Sequence, residues 1–158
     1  MNACRAEELA GLRAGCVIYL KDYNPELIFM VINKKHAVRF ARNLNGNLEN
    51  PLPGTAIVDT ITKPEEDVNF YLCPHVGRLG TSRPMYCMVI ENTINANKKE
   101  IVRLTHDLCY LTFRSTGAMS IPGPVRFAHL ASYRARNYVK EKYDILSSLK
   151  KQGGMWYM

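Results

Sequence analysis

An unbroken apolar run at 27–32, "LIFMVI", stands between Glu26 and the polar "NKK" that follows it. It is too short for a core helix with those flanks, so it predicts a buried strand. Upstream, "AEELAGLRAGCVIYL" sets Leu9, Leu12, Cys16 and Tyr19 or Leu20 at helical spacing and predicts an amphipathic helix. A polar stretch rich in Asn and Gly, 43–54, reads as a loop. "TAIVDTI" is a β-branched run carrying Asp59, "PEED" predicts a turn, and "VNFYLCPHV" and "PMYCMVIEN" predict two further strands joined by the Gly-rich "GRLGTSRP". Asn97 with Glu100 three residues later has the form of a capping box, and Ile101, Leu104, Leu108 and Leu111 continue that helix. Pro122 and Pro124 precede a last helix beginning near Val125. The order helix, four strands, two helices predicts one α/β or α+β domain built on a layered sheet.

The last helix poses a chemical question. In "FAHLASYRARNY", Phe127, Leu130, Ala131, Ala135 and Tyr138 share one side at about 100° per residue, with Arg134 in the middle of that stripe. His129, Tyr133 and Arg136 line a second face. A guanidinium within an apolar stripe costs several kcal/mol unless it meets an anion, and its planar fork suits carboxylate or phosphate. An internal ion pair, or a side chain reaching out to water, would answer equally well.

Composition narrows the partner. The 158 residues, 47% hydrophobic, suffice for one cored domain and exclude a disordered chain. Lys plus Arg total 21 against 14 Asp plus Glu, a formal charge of +7, with a pI near 9.2; the balance favours a polyanionic partner. Cys4, Cys16, Cys73, Cys87 and Cys109 form no C-x-x-C pair, so neither a disulfide framework nor a zinc site is indicated, and they read as buried, reduced thiols. No segment approaches the roughly 20 apolar residues that cross a bilayer, so no membrane partner and a cytoplasmic location, with the nucleus as alternative, are expected.

Two basic clusters each follow an apolar strand: Lys34, Lys35, His36 and Arg39 after the first, and His75, Arg78, Thr81, Ser82 and Arg83 after another. Such mixed sets suit phosphate positioning, provided the strand ends converge on one edge of the sheet; otherwise they form a solvated rim. Asp59 closes an apolar strand and reads either as a turn cap paired with an arginine or as a hard-cation ligand. His129 reads as a helix N-terminal histidine or a ligand. A nucleophile at Cys73 or Cys87 with His75 lacks any sign of an oxyanion site.

With those residues in hand, the sequence resembles the C-terminal portion of the Piwi domain of Argonaute proteins, on the ribonuclease H-like fold, an α/β mixed sheet flanked by helices. The likeness is strongest from "PGTAIVDTITKPEEDVNFYLCPHVGRLGTSRPMYCMVIEN" through "LTHDLCYLTFRST" to "SIPGPVRFAHLASYRARNYV", and it makes residues 1–158 one partial Piwi domain. It implies an RNA-binding role in small-RNA-guided gene silencing, with a guide RNA, a complementary target RNA and silencing-complex proteins as partners. By resemblance, Lys34, Lys35, Arg39, His75, Thr81, Arg83, Arg114, Arg134 and Arg136 are guide-binding positions, Arg134 at the 5′ phosphate. Asp59 and His129 are implied as two of the four ligands that hold two Mg²⁺ (or Mn²⁺) ions in the catalytic centre of active relatives.

Gly117, Arg126 and Ala37 depart from the family pattern and would weaken guide contacts locally. The strand of the first catalytic aspartate, the glutamate segment and the N-terminal, PAZ and MID regions are absent from this sequence, so the chain alone is expected to be catalytically incomplete. Its Asp59 strand is expected to leave an exposed apolar sheet edge. Two other readings are part of an active RNA-guided endoribonuclease, and a protein-interaction or decoy module that binds no RNA.

Overall fold

In the computed structural model, the described residues are 4–62, 68–77, 79–112 and 115–139. The "PEED" turn, Arg78, Arg114 and the tail from 140 onward fall outside them. A π-helical segment Cys4–Leu9 runs into α1, Ala10–Tyr19. Then come β1 (Ile28–Asn33), β2 (Arg42–Leu44), β3 (Asn47–Glu49), β4 (Thr55–Ile57), β5 (Asn69–Cys73), β6 (Met85–Asn92), α2 (Lys98–Leu108) and α3 (Gly123–Val139).

The four longer-range strands form one sheet in the order β1-β6-β5-β4, each neighbour antiparallel. The α/β class read from the sequence holds. Among the described residues β4 closes one edge, as the sequence led us to expect for the Asp59 strand. The predicted loop at 43–54 instead contains a second, two-stranded sheet: β2 and β3 pair as a hairpin. Its tip is Asn45–Gly46, both at positive φ (52° and 86°), and Asn43 Oδ1 accepts from the Gly46 amide. An Asn-Gly tip twists in the sense that flanking strands need, and polar side chains do not forbid strands that face water on both sides.

The core lies between the central strands and α2. Phe70, Leu72, Met85, Cys87, Val89, Ile101 and Cys109 form one buried cluster. The capping box at the head of α2 is complete: the Asn97 side chain accepts from the Glu100 amide at 3.0 Å and Glu100 Oε2 accepts from the Asn97 amide at 2.8 Å. A cap of this kind contributes about 1 kcal/mol. The buried face of α2 is Ile101, Thr105 and Cys109 rather than the predicted leucine stripe; Leu104 and Leu111 are exposed and the helix stops at Leu108. Thr105 can occupy the core because its hydroxyl donates to Ile101 O at 2.7 Å, satisfying the polar atom within the helix itself.

The predicted first helix forms, but its apolar side is largely uncovered. Leu9 is buried just ahead of it, while Leu12, Val17 and Leu20 are exposed and Ile18 and Tyr19 are 86% and 85% exposed.

Candidate nucleic-acid interface

Strand directions decide where the basic clusters go. β1 and β5 are both antiparallel to β6, so they point the same way, and β4 points with β6. The exits of β1 and β5 therefore share one end of the sheet with the entries of β6 and β4. The pairs Asn33↔Tyr86, Leu72↔Met85 and Thr55↔Cys73 place that end within a residue or two. Lys34, Lys35, His36 and Arg39 leave β1 there, His75 leaves β5 there, and Thr81 and Arg83 lead into β6 there. The convergence that the sequence required holds.

The loop before β6 is pinned from across the chain. Asn50 Oδ1 accepts from the Ser82 amide and Asn50 Nδ2 donates to Gly80 O, each at 2.8 Å. Gly77 sits so close to the Ser82 hydroxyl and the Asn50 amide that a Cβ would collide with both. This interlock presents Thr81 and Arg83 to solvent. On the β1 side, Arg39 Nη1 donates to Val38 O at 2.7 Å and His36 O at 3.1 Å, bracing its own loop.

Lys34 is half-buried, and its pKa is lowered by that burial first and by the neighbouring Arg83 charge second; the Cys109 and Cys73 thiols oppose weakly. Among the described residues neither Lys34 nor Arg83 has an ion-pair partner. Two cations held together without a counter-charge are unfavourable for the fold and favourable for an arriving anion. His36 lies behind them, its ring edge-on to Tyr71 at 5.4 Å. Its pKa is lowered by burial first; the Pro84 backbone offsets this in part, and the charges of Arg39, Arg83 and Lys34 add to the lowering.

The sign for Lys34 follows directly. Its folded pKa lies below the unfolded value of 10.5, so the charged side chain penalises the fold at any pH below the folded pKa. The penalty fades as pH rises from there toward 10.5, where the unfolded chain binds more protons. Lys34→Met is therefore expected to raise the urea midpoint at neutral pH and to flatten the alkaline rise in stability expected of the parent. An unchanged midpoint and an unchanged alkaline slope would contradict the burial of this charge.

Two cavities adjoin this end. One, about 520 Å³, is lined by Pro53, Pro74, His75, Tyr110 and Ser115; the other, about 540 Å³, by Ser115, Ser120, Ile121, Arg126, Phe127 and Leu130. They share Ser115 and Ala118 and so lead from His75 to α3. Gly123 at the start of α3 is pressed against the Leu111 carbonyl, where no Cβ fits, fixing the helix to this side of the molecule. Sequence reasoning passed over Asn50, Tyr110, Ser115 and Ser120; only Asn50, in a stretch read as loop, gave no signal at all.

Arg134 differs from expectation. Phe127, Leu130, Ala131 and Ala135 are half-buried as the stripe predicts, yet Arg134 is exposed, as are Arg136, His129 and Tyr133. Only a narrow side of α3 is covered, and a long guanidinium stem beside it reaches water without cost. Arg134 makes no ion pair among the described residues, so it is neither buried nor neutralised. Arg114 falls outside the described residues.

Asp59, expected as a metal ligand, sits among cations. The Asp59 side chain is 82% exposed and its Oδ1 lies 3.8 Å from Lys98 Nζ. Lys98 also donates to Val58 O at 2.6 Å, and Lys99 and Arg103 line the same groove. That is the wrong charge environment for a divalent cation. Asp59 follows the exit of β4, the opposite end of the sheet from the basic cluster, whereas His129 is on α3, which lines a different cavity. Among the described residues no group of three or more His, Cys, Asp or Glu could hold a metal ion. The cysteines are equally unsuited to nucleophilic chemistry: burial raises Cys73 and pushes Cys87 and Cys109 up to about 12, keeping the thiols protonated.

The family model described as the Piwi domain matches residues 2–140. Protein argonaute 7 of Arabidopsis thaliana is 40% identical over 138 residues, 87% of this chain and 14% of that protein. Protein argonaute 1C of Oryza sativa subsp. japonica is 39% identical over 150 residues, 90% of this chain and 14% of that protein. The chain thus spans a small part of the length of the curated relatives it matches. Among solved structures, Drosophila Piwi superposes with a TM-score of 0.70 at 25% identity, covering 83% of this chain and 18% of that one. Kluyveromyces polysporus Argonaute, crystallised with a guide RNA, gives 0.74 at 22% identity over 87% of this chain and 17% of that one, a likeness of fold.

Proposed function

This chain belongs to the Piwi domain family, and from that membership we propose that it grips the sugar-phosphate backbone of a small guide RNA in RNA-mediated silencing. The observation that carries the reading is the half-buried Lys34 beside Arg83, two cations with no ion-pair partner among the described residues, at the end where three strands and a loop converge. Lys35 adds to that positive end, Thr81 lies beside it on the way into β6, His75 lines the first cavity, and Arg39 keeps the β1 exit in shape through its backbone hydrogen bonds. Contacts of this kind fix a strand's position and leave sequence reading to base pairing with a target RNA.

Arg134 and Arg136 take the 5′ end of the guide in this reading. They are exposed on a helix whose first turns are fixed beside the second cavity, and a terminal phosphate, with its extra charge, would suit an unneutralised guanidinium. Metal-dependent cleavage forms no part of the proposal.

The test is filter binding of a short 5′-phosphorylated RNA and its 5′-hydroxyl counterpart across a salt series. Each phosphate contact made by a cation is worth about 0.7 in the slope of log K against log salt for a single strand. Arg134→Ala is expected to weaken the phosphorylated RNA selectively and to reduce its slope by about one such contact. Equal losses for both RNAs would remove Arg134 from the 5′ pocket, and a salt-independent affinity would end the backbone reading altogether.

A further inference from the structure

Away from the strand-end cations, a second groove of about 440 Å³ lies between β4 and α2. Its floor is aliphatic: Ala56 and Val58 from the β4 side and Val102 from α2. Lys98, Lys99 and Arg103 stand on its α2 side, and Asp59 is the one acid among its lining residues. Lys98 is held in place by Val58 O, so its charge is fixed at the lip rather than waving in solvent. His106 lies near Gly54, and its Nε2 is buried without a hydrogen-bond partner.

We propose that this groove docks a short acidic peptide, seating a Leu or Ile side chain on the aliphatic floor and laying flanking carboxylates along Lys98, Lys99 and Arg103. Three lining cations against one lining acid set the charge of the partner, and small aliphatic floor residues set the shape of its anchor. Among the described residues no Phe, Tyr or Trp lines the groove, so these supply none of the stacking platforms on which single-stranded nucleic acid depends. Strand addition is not the mode: β4 is three residues long and the Thr55 amide is already spent on Leu52 O at 3.1 Å, which leaves little ladder to extend. Side chains rather than backbone carry the recognition. The proposal does not rest on the RNA reading, because the cations it uses are different ones.

Fluorescence anisotropy with a labelled peptide alternating Glu and Leu, titrated with the full chain, tests it. A matched peptide with Gln for Glu is expected to bind about tenfold more weakly. Lys99→Glu, an exposed change that leaves the core untouched, is expected to weaken the acidic peptide by about fivefold or more without moving the thermal midpoint. Lys34→Met is expected to leave the peptide unaffected. Equal affinity for the Gln peptide, or no effect of Lys99→Glu, overturns the proposal. A single-stranded RNA whose binding falls with Lys99→Glu while the acidic peptide gives no signal overturns it too, and gives the groove to nucleic acid.

Discussion

Replacing Lys34 and Arg83 together with glutamate is expected to lower the affinity for single-stranded RNA by about 100-fold or more at physiological salt. Each change removes a favourable contact and installs a carboxylate facing phosphate. Because the two side chains are neighbours, the losses fall on the same stretch of backbone. Filter binding reads the effect, and far-UV circular dichroism at the same concentrations checks that the sheet survives. The single Lys34→Met change separates two roles that usually coincide: it is expected to weaken RNA while strengthening the fold, since the methionine has no charge to bury. Unchanged affinity in the double variant would leave the basic end a solvated rim.

The second large effect concerns the fold itself. Phe70→Ala is expected to destabilise the domain by about 3–5 kcal/mol. Phe70 is fully buried in β5, opposite Cys87 on β6 and within the cluster that α2 covers. Total stabilities of domains run to about 5–15 kcal/mol, so a loss of this size takes away from about a fifth of the stability to nearly all of it, and the urea midpoint is expected to fall accordingly. A urea midpoint close to the parent's would mean that the site collapses around the vacancy and that the sheet's centre is more plastic than its packing indicates.

What the sequence disclosed follows from the range of the interactions involved. The strands at 69–73 and 85–92 announced themselves because β5 and β6 are the central strands and carry the buried cluster. The run at 27–32 was legible as a strand too, but β1 lies at an edge of the sheet and is half-buried rather than buried. Asn97 and Glu100 were legible because a capping box is completed within one turn. The basic clusters were legible as clusters, but their convergence depended on β1 and β5 both pairing with β6, a fact of topology that no local pattern contains. Arg134 was misplaced for a similar reason. Helical periodicity gives the side of a helix, whereas burial depends on how much of that side something else covers. Asp59 ends an apolar run as a metal ligand would, but Lys98, 39 residues further along the chain, gives it a partner and changes the charge around it. The hairpin at 42–49 was hidden by its own polarity, although Asn45–Gly46 carried the turn signal.

That hairpin and the Gly77 interlock set opposite terms for divergence. At the Asn45–Gly46 tip a Cβ added to Gly46 would meet no neighbour, and lengthening a surface loop costs only about 0.6 kcal/mol per doubling. Descendants of this chain could graft whole segments there, or an engineer a reporter, and the cationic end would not register the change. Around Gly77 a single methyl would push on Ser82 and Asn50 at once, so the cationic end has almost no freedom to drift.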